Sequence, residues 1–524
     1  MKREDEEFGV TSLFGGAGQS RITGCPMLKH CVLTLACVLL AMPPVRGAEL
    51  YVGAASVDFT PDRPVLLQGQ MSTRIAQSAA TPVTANVLAL EARDGDRPLD
   101  RAILVSVDLC SVRLNLREAI LREVKVLLPQ FSAEEKLIVA ATHTHTSVAT
   151  SHDYVLPEDL PEGVSPGDIL MEDEAADYLA GKIAGAIQQA WDGRVRGQFA
   201  YGLGNAVIAF NRRSVYEDGS AVMYGPTDRA DFRKIEGMED HDVGCCFFWD
   251  SEGKLLAMIV NPSCPAQEVE ALSVINADYW HPVREALRAK YGADVVIAGF
   301  AGAAGDLSPH VRYRQAAVDR MTRLRGEDNL HEIARKVVAA VDEVYPVVEP
   351  HRDSDPVFAH TYTVFDLPQQ TLPRDVYEHY KKQMNDEKAA CDNDRNHGAG
   401  YHYVNYLWSK GIVDRYDAQR GVENPVYPVD AHFLRLGDLA ICTNPFELYT
   451  DFGVQIKARA QATQTIIIQL TAPLVEPDYC YVPSKYAVQG GGYGAIPETN
   501  NIGMEGGQIF ADKSVEQINA LFGE

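Results

Sequence analysis

The chain has 524 residues, of which 46% are hydrophobic and 23% are charged. This composition is typical of a globular protein and excludes a disordered, collagenous or coiled-coil protein. The 48 Lys and Arg residues against 72 Asp and Glu residues give a net charge of −24. Because nucleic-acid binders carry basic surfaces, we expect no nucleic-acid partner and at most peripheral contact with a membrane.

Residues 1–48 are predicted to be an export segment and not part of the fold. The signal peptide, residues 27–48, starts with Lys29 and His30 and continues through an apolar run at Cys31–Met42. This run is shorter than the roughly 20 apolar residues that a bilayer requires. The acidic stretch before it is unlike a signal and is interpreted as an extension upstream of the true start. A buried N-terminal helix is the alternative. We therefore expect a secreted or periplasmic protein.

Apolar residues recur along residues 49–524 at spacings that predict mixed strands and helices. In chain order these are strands at Tyr51–Phe59, Asn86–Ala92 and Arg101–Val107, a helix at Leu114–Leu128, a strand at Lys136–Ala141, a helix at Asp173–Trp191, a hairpin of Val243–Trp249 and Leu255–Val260, a helix at Trp280–Lys290, a strand at Ala293–Phe300 and a helix at Leu330–Val344. Beyond a proline-rich linker at Pro346–Pro356 come a strand at Val357–Phe365, a helical insertion at 374–419, a hairpin at His432–Cys442 and a strand at Thr465–Leu470.

The mixing of strands and helices without strict β-α-β alternation predicts an α/β fold. We expect one large mixed-sheet, layered catalytic domain at 49–524, with helices on the outside. The cysteines of this range have irregular spacing and form no CxxC pair, so neither a disulfide framework nor a zinc finger is predicted. Their odd number leaves at least one thiol unpaired or bound to another group; they are Cys110, Cys245, Cys246, Cys264, Cys391, Cys442 and Cys480.

Two histidines lie two residues apart in ATHTHTS, just beyond the predicted strand at Lys136–Ala141. On extended backbone, His143 and His145 point to the same side. A strand supplies two metal ligands in this way, or one ligand and one acid/base group. The alternative is a pair of loop histidines with local hydrogen bonds.

Ser308 lies in GFAGAAGDLSPH, where a strand enters a glycine-rich loop that permits close approach to a ligand. Its hydroxyl is a candidate nucleophile or oxyanion donor. A GxSxG elbow is missing from the loop, so a hydrolase triad is not indicated. The alternative is a helix N-cap, with Pro309 at the first helical position.

Three further residues follow predicted strands. Cys264 in VNPSCPAQ is a candidate zinc ligand through its thiolate, or else a buried thiol or half of a disulfide. Glu447 in CTNPFELY comes directly after an apolar strand, where a solvated glutamate is unexpected. Tyr481 in DYCYVPSKY is open to interpretation as a ligand, a hydrogen-bond donor or a core residue.

Together these segments resemble the neutral/alkaline non-lysosomal ceramidase family, zinc-dependent amidases that hydrolyse the N-acyl bond of ceramide. The resemblance spans residues 51–495 and includes ASVDFTP, the HTHT segment for the family's HTHS, and GDLSPH for its GDVSPN. It implies zinc as the cofactor and a set of site residues, namely zinc ligands at His143, Glu447 and Tyr481, a proton donor at His145, a catalytic serine at Ser308 and a pocket arginine at Arg212, next to Asn211.

One position departs from the family's pattern. The family's second zinc histidine stands in a His-Pro pair that precedes an aspartate at a fixed distance, where this chain has Cys264-Pro265 and Asp278. Cys264 is therefore expected to be the fourth ligand. A thiolate binds zinc tightly but adds negative charge, which weakens the metal as a Lewis acid. Alternatively, Gln267 or His281 is the ligand, or the metal is lost.

Two larger departures concern the substrate. Family members carry an immunoglobulin-like domain after the catalytic part, and none is predicted here. The insertion at 374–419 is in a position to reshape the substrate entrance. An amide other than ceramide therefore stays open as the substrate.

The sequence predicts an exported zinc-dependent amidohydrolase acting on a small-molecule lipid amide. Zinc bound by His143, Cys264, Glu447 and Tyr481 polarises the carbonyl, and His145 protonates the leaving amine. Ser308 is either the oxyanion donor or the nucleophile, and Arg212 positions the substrate. Two alternatives remain, an inactive protein that binds a lipid or glycan, and a hydrolase of another ester or a phosphoester. The sequence makes no prediction of the oligomeric state.

Overall fold

The structure is a computed structural model that describes residues 47–131, 134–475 and 480–523. The predicted signal peptide lies outside the described residues except for its last two positions. Within the described ranges, none of the helices combines the length and the apolar character needed to cross a bilayer. The seven cysteines of these ranges all carry free thiols.

The strands are mostly short and alternate between the two faces of their sheets. They are β1 (Glu49–Asp58), β2 (Val65–Leu67), β3 (Arg74–Ala76), β4 (Thr84–Asp94), β5 (Arg97–Val107), β6 (Leu137–Ala141), β7 (Val195–Asn205), β8 (Phe210–Asn211), β9 (Arg213–Tyr216), β10 (Ala221–Met223), β11 (Phe232–Ile235), β12 (Asp242–Asp250), β13 (Leu255–Pro262), β14 (Val296–Gly299), β15 (Leu307–Ser308), β16 (Phe358–Pro368), β17 (Val426–Leu436), β18 (Leu439–Thr443), β19 (Glu447–Leu448), β20 (Gln464–Ile468) and β21 (Tyr481–Val482).

The helices cover the outer faces of the sheets or form the insertion. They are α1 (Leu114–Leu127), α2 (Glu172–Asp192), α3 (Trp280–Tyr291), α4 (Gln315–Arg325), α5 (Asn329–Val348), α6 (Arg374–Asn393), α7 (Arg395–His397), α8 (Tyr403–Gln419), α9 (Thr450–Arg459), α10 (Lys485–Gly490) and α11 (Gly506–Phe522).

Eight strands form the large sheet, in the order β14-β13-β12-β7-β1-β4-β5-β6. The two outermost pairs, β13 with β14 and β5 with β6, are parallel, and the pairs between them are antiparallel. Strand alternation divides the apolar side chains: in β4, Val87 and Ala89 join the core beneath α1 and α2, whereas Leu88 and Leu90 face the opposite side. The helices α3 and α5 cover β12 to β14 in the same way.

A second sheet, ordered β16-β17-β18-β20, packs against the uncovered face of the first. In β17, Leu434 and Leu436 enter this inter-sheet core, while Ala431 and Phe433 face α9 and α11 on the outer side. The molecule therefore has four layers, helix, sheet, sheet and helix. This arrangement confirms the predicted α/β fold with a large mixed sheet and outer helices.

Two segments differ from the sequence predictions. The helix α5 continues through Pro346 to Val348, into the stretch predicted as a linker. The C-terminal tail, poor in apolar residues, nevertheless forms α11, which buries Phe510 and Ile518 against the second sheet. In both cases packing against a sheet outweighs a weak local signal.

Candidate active site

Two very short strand pairs bring four of the predicted site segments together. β8 pairs with β15, which sets Phe210 opposite Ser308, and Arg212 follows β8 immediately. β19 pairs with β21 in parallel, which sets Glu447 directly opposite Tyr481. Ser308 therefore belongs to a strand, and the next helix begins at Gln315, so it is not a helix N-cap.

The parallel pair of β5 and β6 supplies the other half of the site. Because parallel neighbours end at the same edge of a sheet, Cys110, after β5, lies beside His143, after β6. His143 has a left-handed backbone with φ of 69°, and its Nδ1–H donates to the Cys110 carbonyl at 2.7 Å. This hydrogen bond occupies Nδ1 and leaves Nε2 as the ring nitrogen that can bind a metal, the arrangement seen in metal-binding histidines.

The Nε2 atom of His143 lies 3.3 Å from Nε2 of His145 and 3.5 Å from Oε2 of Glu447. All three side chains are buried. Burial disfavours the charged form of His143, but the Glu447 carboxylate and the Cys110 thiol outweigh it and raise its pKa well above the usual value. Burial and the positive charges of His143 and Arg74 lower the pKa of His145.

His145 is held from three directions. Its Nδ1 atom lies 3.3 Å from Oε2 of Glu270, and its Nε2 atom lies 2.8 Å from the amide nitrogen of Gln267. Gly69, at φ of 109°, supplies the third contact, because a Cβ atom there would lie only 2.4 Å from the imidazole Cγ. These contacts hold the imidazole ring in a single orientation. Residue 69 must be a glycine, because a side chain there would overlap the ring and the backbone has a positive φ.

The guanidinium of Arg212 lies at the centre of the site. Its hydrogen bonds reach five groups: the Gly305 carbonyl at 2.9 Å, Gln267 Oε1 and the Tyr224 hydroxyl at 3.3 Å, and Glu447 Oε2 and the Tyr481 hydroxyl at 3.4 Å. Burial opposes its charge, but the surrounding tyrosines and Glu447 raise its pKa well above the usual value. Arg212 is thus a fixed positive charge that joins the four short strands.

Ser308 is fully buried next to this network. Its Oγ atom accepts a hydrogen bond from the Tyr224 hydroxyl at 3.1 Å and another from the backbone N–H of His310 at 3.1 Å. The preceding Asp306 fixes the loop by accepting from Thr450 N–H and hydroxyl and from the Asn211 amide. The tyrosine links Ser308 to Arg212 and so to the histidine pair.

Cys264 is buried elsewhere. Its Sγ atom contacts the carbonyl oxygens of Ile208 and Pro265 at 3.6 and 3.5 Å, inside the core beneath α3 and α5. Burial and the nearby Asp278 carboxylate raise the pKa of the thiol well above the usual value. It is Gln267, three residues further along, that reaches His145.

Two residues of the site, Cys110 and Glu270, escaped sequence reasoning, and Gln267 was expected only as an alternative metal ligand. Cys110 follows the predicted strand Arg101–Val107 by three positions, and pairing of that strand with Lys136–Ala141 would have placed it beside His143. Glu270 contacts both His145, at 3.3 Å, and His310, whose Nδ1 lies 3.8 Å from Oε1 of the carboxylate. Gln267 and Glu270 lie in a loop, for which the sequence carries no periodic signal.

The donor set fits a metal ion. In the described chain, Cys110, His143 and His145 form a buried group whose potential ligand atoms all lie within 4.8 Å of one another. Two ligands on a tetrahedral zinc ion with bonds of about 2.0–2.1 Å lie roughly 3.3 Å apart. The separations of 3.3 Å and 3.5 Å from His143 to His145 and to Glu447 match this spacing. A buried Cys/His/His group with an adjacent carboxylate could therefore bind a metal.

A small cavity of about 150 Å³ opens onto the site. Its walls include Cys110, His145, Glu447 and Tyr481 from the site itself. The insertion supplies another wall, because Val404, Leu407 and Trp408 of α8 line the same cavity. A ligand in this cavity would therefore contact both the polar network and the insertion.

Comparisons with solved structures identify related folds. The chain is similar to the neutral ceramidase from Pseudomonas aeruginosa, with a TM-score of 0.64 and 16% identity over 90% of this chain and 74% of that one. It is also similar to a ceramidase complexed with C2, with a TM-score of 0.61 and 16% identity over 91% and 75% of the two chains. Neither a family model nor a curated protein matches the sequence. The chain thus has a ceramidase-like fold.

Proposed function

We propose that the protein is a metal-dependent amidohydrolase. It adds water across the C–N bond of an N-acyl amide, which yields a carboxylic acid and an amine. One observation carries the proposal: His143, His145, Arg212, Ser308 and Glu447 come from distant segments of the chain and meet in one hydrogen-bonded network beside a cavity. The ceramidase-like fold supports the same reaction class.

The metal site would be built by His143 and Glu447, with Cys110 as a further donor. When bound, a divalent cation such as Zn²⁺ polarises a carbonyl and lowers the pKa of water. Tyr481 lies opposite Glu447 and is within reach of the same proposed metal position. This assignment replaces the sequence-based choice of Cys264 with Cys110 as the thiol ligand.

His145 is the proposed acid for the leaving amine. It lines the cavity, and Glu270 and Gln267 fix the orientation of its ring. A proton donor must be positioned before its pKa matters, and these contacts satisfy that condition.

Ser308 is best suited to stabilise an oxyanion. A hydroxyl has two lone pairs and one hydrogen. Both lone pairs of Ser308 Oγ accept hydrogen bonds, from Tyr224 and from the N–H of His310, so the remaining hydrogen is the group it can offer a substrate. Arg212 holds Tyr224 in place from the other side and supplies positive charge.

A substrate screen tests the proposal. Purified protein should hydrolyse an N-acyl amide but not a phosphomonoester of matched size, and Ser308→Ala should lower kcat by at least about 10²-fold. The matched control is Ser165→Ala, a serine of the 3₁₀ turn before α2 that is remote from the network. Equal rates for wild type and Ser308→Ala would refute the assignment of Ser308, and the absence of hydrolysis across the screen would refute the function.

A second function, a binding protein without turnover, has one specific observation in its favour. Arg212 lies 3.4 Å from both Glu447 and Tyr481, so the negative charge of the site is already balanced by a cation of the chain itself. In that case no stoichiometric metal is needed. Metal analysis of the purified protein distinguishes the two functions.

A further inference from the structure

The cavity beside His145 is small for a lipid-hydrolysing enzyme. Its volume is about 150 Å³, whereas pockets for drug-sized ligands measure roughly 300–1,000 Å³. One wall is polar and includes Gln68, Ser111 and Asp153, while the wall from α8 is apolar and includes Leu407 and Trp408. The cavity therefore matches a short group with one polar side better than a long alkyl chain.

Gln68 provides an acceptor that the protein itself does not use. Its amide nitrogen donates to Ser151 Oγ at 3.0 Å, Ser111 Oγ at 3.2 Å and Asp153 Oδ2 at 3.4 Å. The Ser151 hydroxyl donates its hydrogen to Asp153 at 2.6 Å, so both oxygens can only accept from Gln68, and this fixes the orientation of the amide. The other atom, Oε1, is buried and has no hydrogen-bond partner.

A buried acceptor without a partner is unfavourable, and a ligand that donates a hydrogen bond to it removes that penalty. Gln68 is 4% exposed and borders the cavity directly. The neighbouring residue, Gly69, packs against the ring of His145, so the acceptor lies close to the group assigned to the leaving amine. The Gln68 oxygen is thus in a position to bind the amine half of a substrate.

The apolar wall is fixed at both ends of the insertion. Near α7, the N–H of Thr73 donates to the Ala399 carbonyl at 2.7 Å, and Asn396 donates to Asp159 at 2.7 Å. At the far end of α8, Arg415 donates to the carbonyls of Pro497 and Asn500 at 3.0 and 3.1 Å. A wall anchored in this way limits the length of the group that the cavity accepts.

We propose that the amine half of the substrate is short and carries a hydroxyl or second N–H donor that binds Gln68 Oε1, in place of a long-chain base. The inference rests on the proposed function, because that function assigns His145 to the leaving amine. It narrows the substrate class to N-acyl derivatives of small amino alcohols or diamines.

Calorimetric titration of three acetamides tests this inference on Ser308→Ala protein. N-(2-hydroxyethyl)acetamide should bind about tenfold tighter than N-ethylacetamide, which lacks the hydroxyl, and tighter than N-octylacetamide. Gln68→Leu should abolish the preference for the hydroxyl. It also removes the hydrogen bonds that the amide nitrogen donates, so its Tm should fall, and binding is compared at a temperature where both proteins are folded. Tightest binding of the octyl compound, a preference that survives Gln68→Leu, or no binding of any of the three would overturn the inference.

A second variant tests the size limit. Trp408→Ala should improve the binding of N-octylacetamide at least about fivefold, because removal of the indole lengthens the cavity. Tyr401→Ala is the matched control, since Tyr401 is an exposed aromatic residue of the same insertion. Unchanged octyl binding in Trp408→Ala would contradict the role of this wall. If the binding pattern holds but wild-type protein hydrolyses no amide, the proposed function fails and the inferred ligand class stands.

Discussion

The protein contains two buried histidine pairs, and their surroundings differ. In the pair His143–His145 the nearest ring nitrogens are 3.3 Å apart, and in the pair His360–His432 they are 3.1 Å apart. The first pair is next to a thiol, two carboxylates and a cavity. The second is next to the Arg101 carbonyl, the Asp100 carboxylate and the Lys136 side chain, with no cavity among those described at its rings. Two adjacent histidines therefore do not by themselves indicate function. What distinguishes the first pair is the combination of a thiol and two carboxylates with a cavity.

The largest expected effect comes from breaking the first pair. His143→Ala should lower kcat/KM by at least about 10³-fold and remove bound metal, because it deletes the proposed ligand, which faces both His145 and Glu447. His360→Phe is the matched control at the second pair and should retain both metal and activity. Metal analysis and amide hydrolysis of the two variants provide the measurement. Full metal content in His143→Ala would refute its role as a ligand.

The second pair should instead govern stability at acid pH. Burial and the charge of Lys136 lower the pKa of His360 to about 4, whereas the unfolded chain has a pKa of about 6.5. Since the folded state resists protonation, this stability is present above about pH 6.5 and is lost as the pH falls towards about 4. The loss is on the order of 3 kcal/mol.

Thermal unfolding between pH 7 and pH 4 checks this expectation. His360→Gln should flatten the pH dependence of the Tm, because the titrating group is gone. His152→Gln should leave the profile unchanged, because its side chain is 66% exposed. A His360→Gln profile as steep as that of wild type would show that other groups cause the acid sensitivity.

The smallest expected effect distinguishes two buried cysteines. Cys110→Ser should weaken metal binding by about 10–100-fold, since Cys110 contributes its thiol and its carbonyl to the surroundings of His143. Cys264→Ser should change metal affinity by less than about twofold and lower the Tm by a few degrees, because its thiol contacts the carbonyl groups of Ile208 and Pro265 in an apolar core. Metal titration of both variants gives the comparison. A larger loss in Cys264→Ser would restore the ligand set inferred from sequence.

Local patterns predicted much of the fold. The apolar run in Arg101–Val107 and the helical spacing in Asp173–Trp191 correspond to β5 and α2 within a few residues. The helix α11 was not predicted, because its apolar residues Phe510 and Ile518 are sparse and its first turn contains two glycines. Burial against the second sheet compensates for this weak propensity.

The site was predictable where a motif sits at a strand end. His143, Glu447 and Ser308 follow or occupy strands, and the structure brings their segments together. The position of Cys110 beside His143 could be predicted only if β5 and β6 were known to be neighbouring strands. Cys264 was chosen from its distance in sequence to Asp278, but that distance does not determine the path of the loop. In the structure it is Gln267, and not Cys264, that contacts His145.

The central claim is that His143 and Glu447, together with Cys110, bind a metal ion that amide hydrolysis requires. The most direct test is elemental analysis of wild-type protein purified without chelator, followed by amide hydrolysis before chelation, after chelation and after Zn²⁺ is returned. The account predicts about one metal ion per chain, loss of activity on chelation and recovery on return of the metal. Metal-free protein that hydrolyses the amide at the full rate would contradict it.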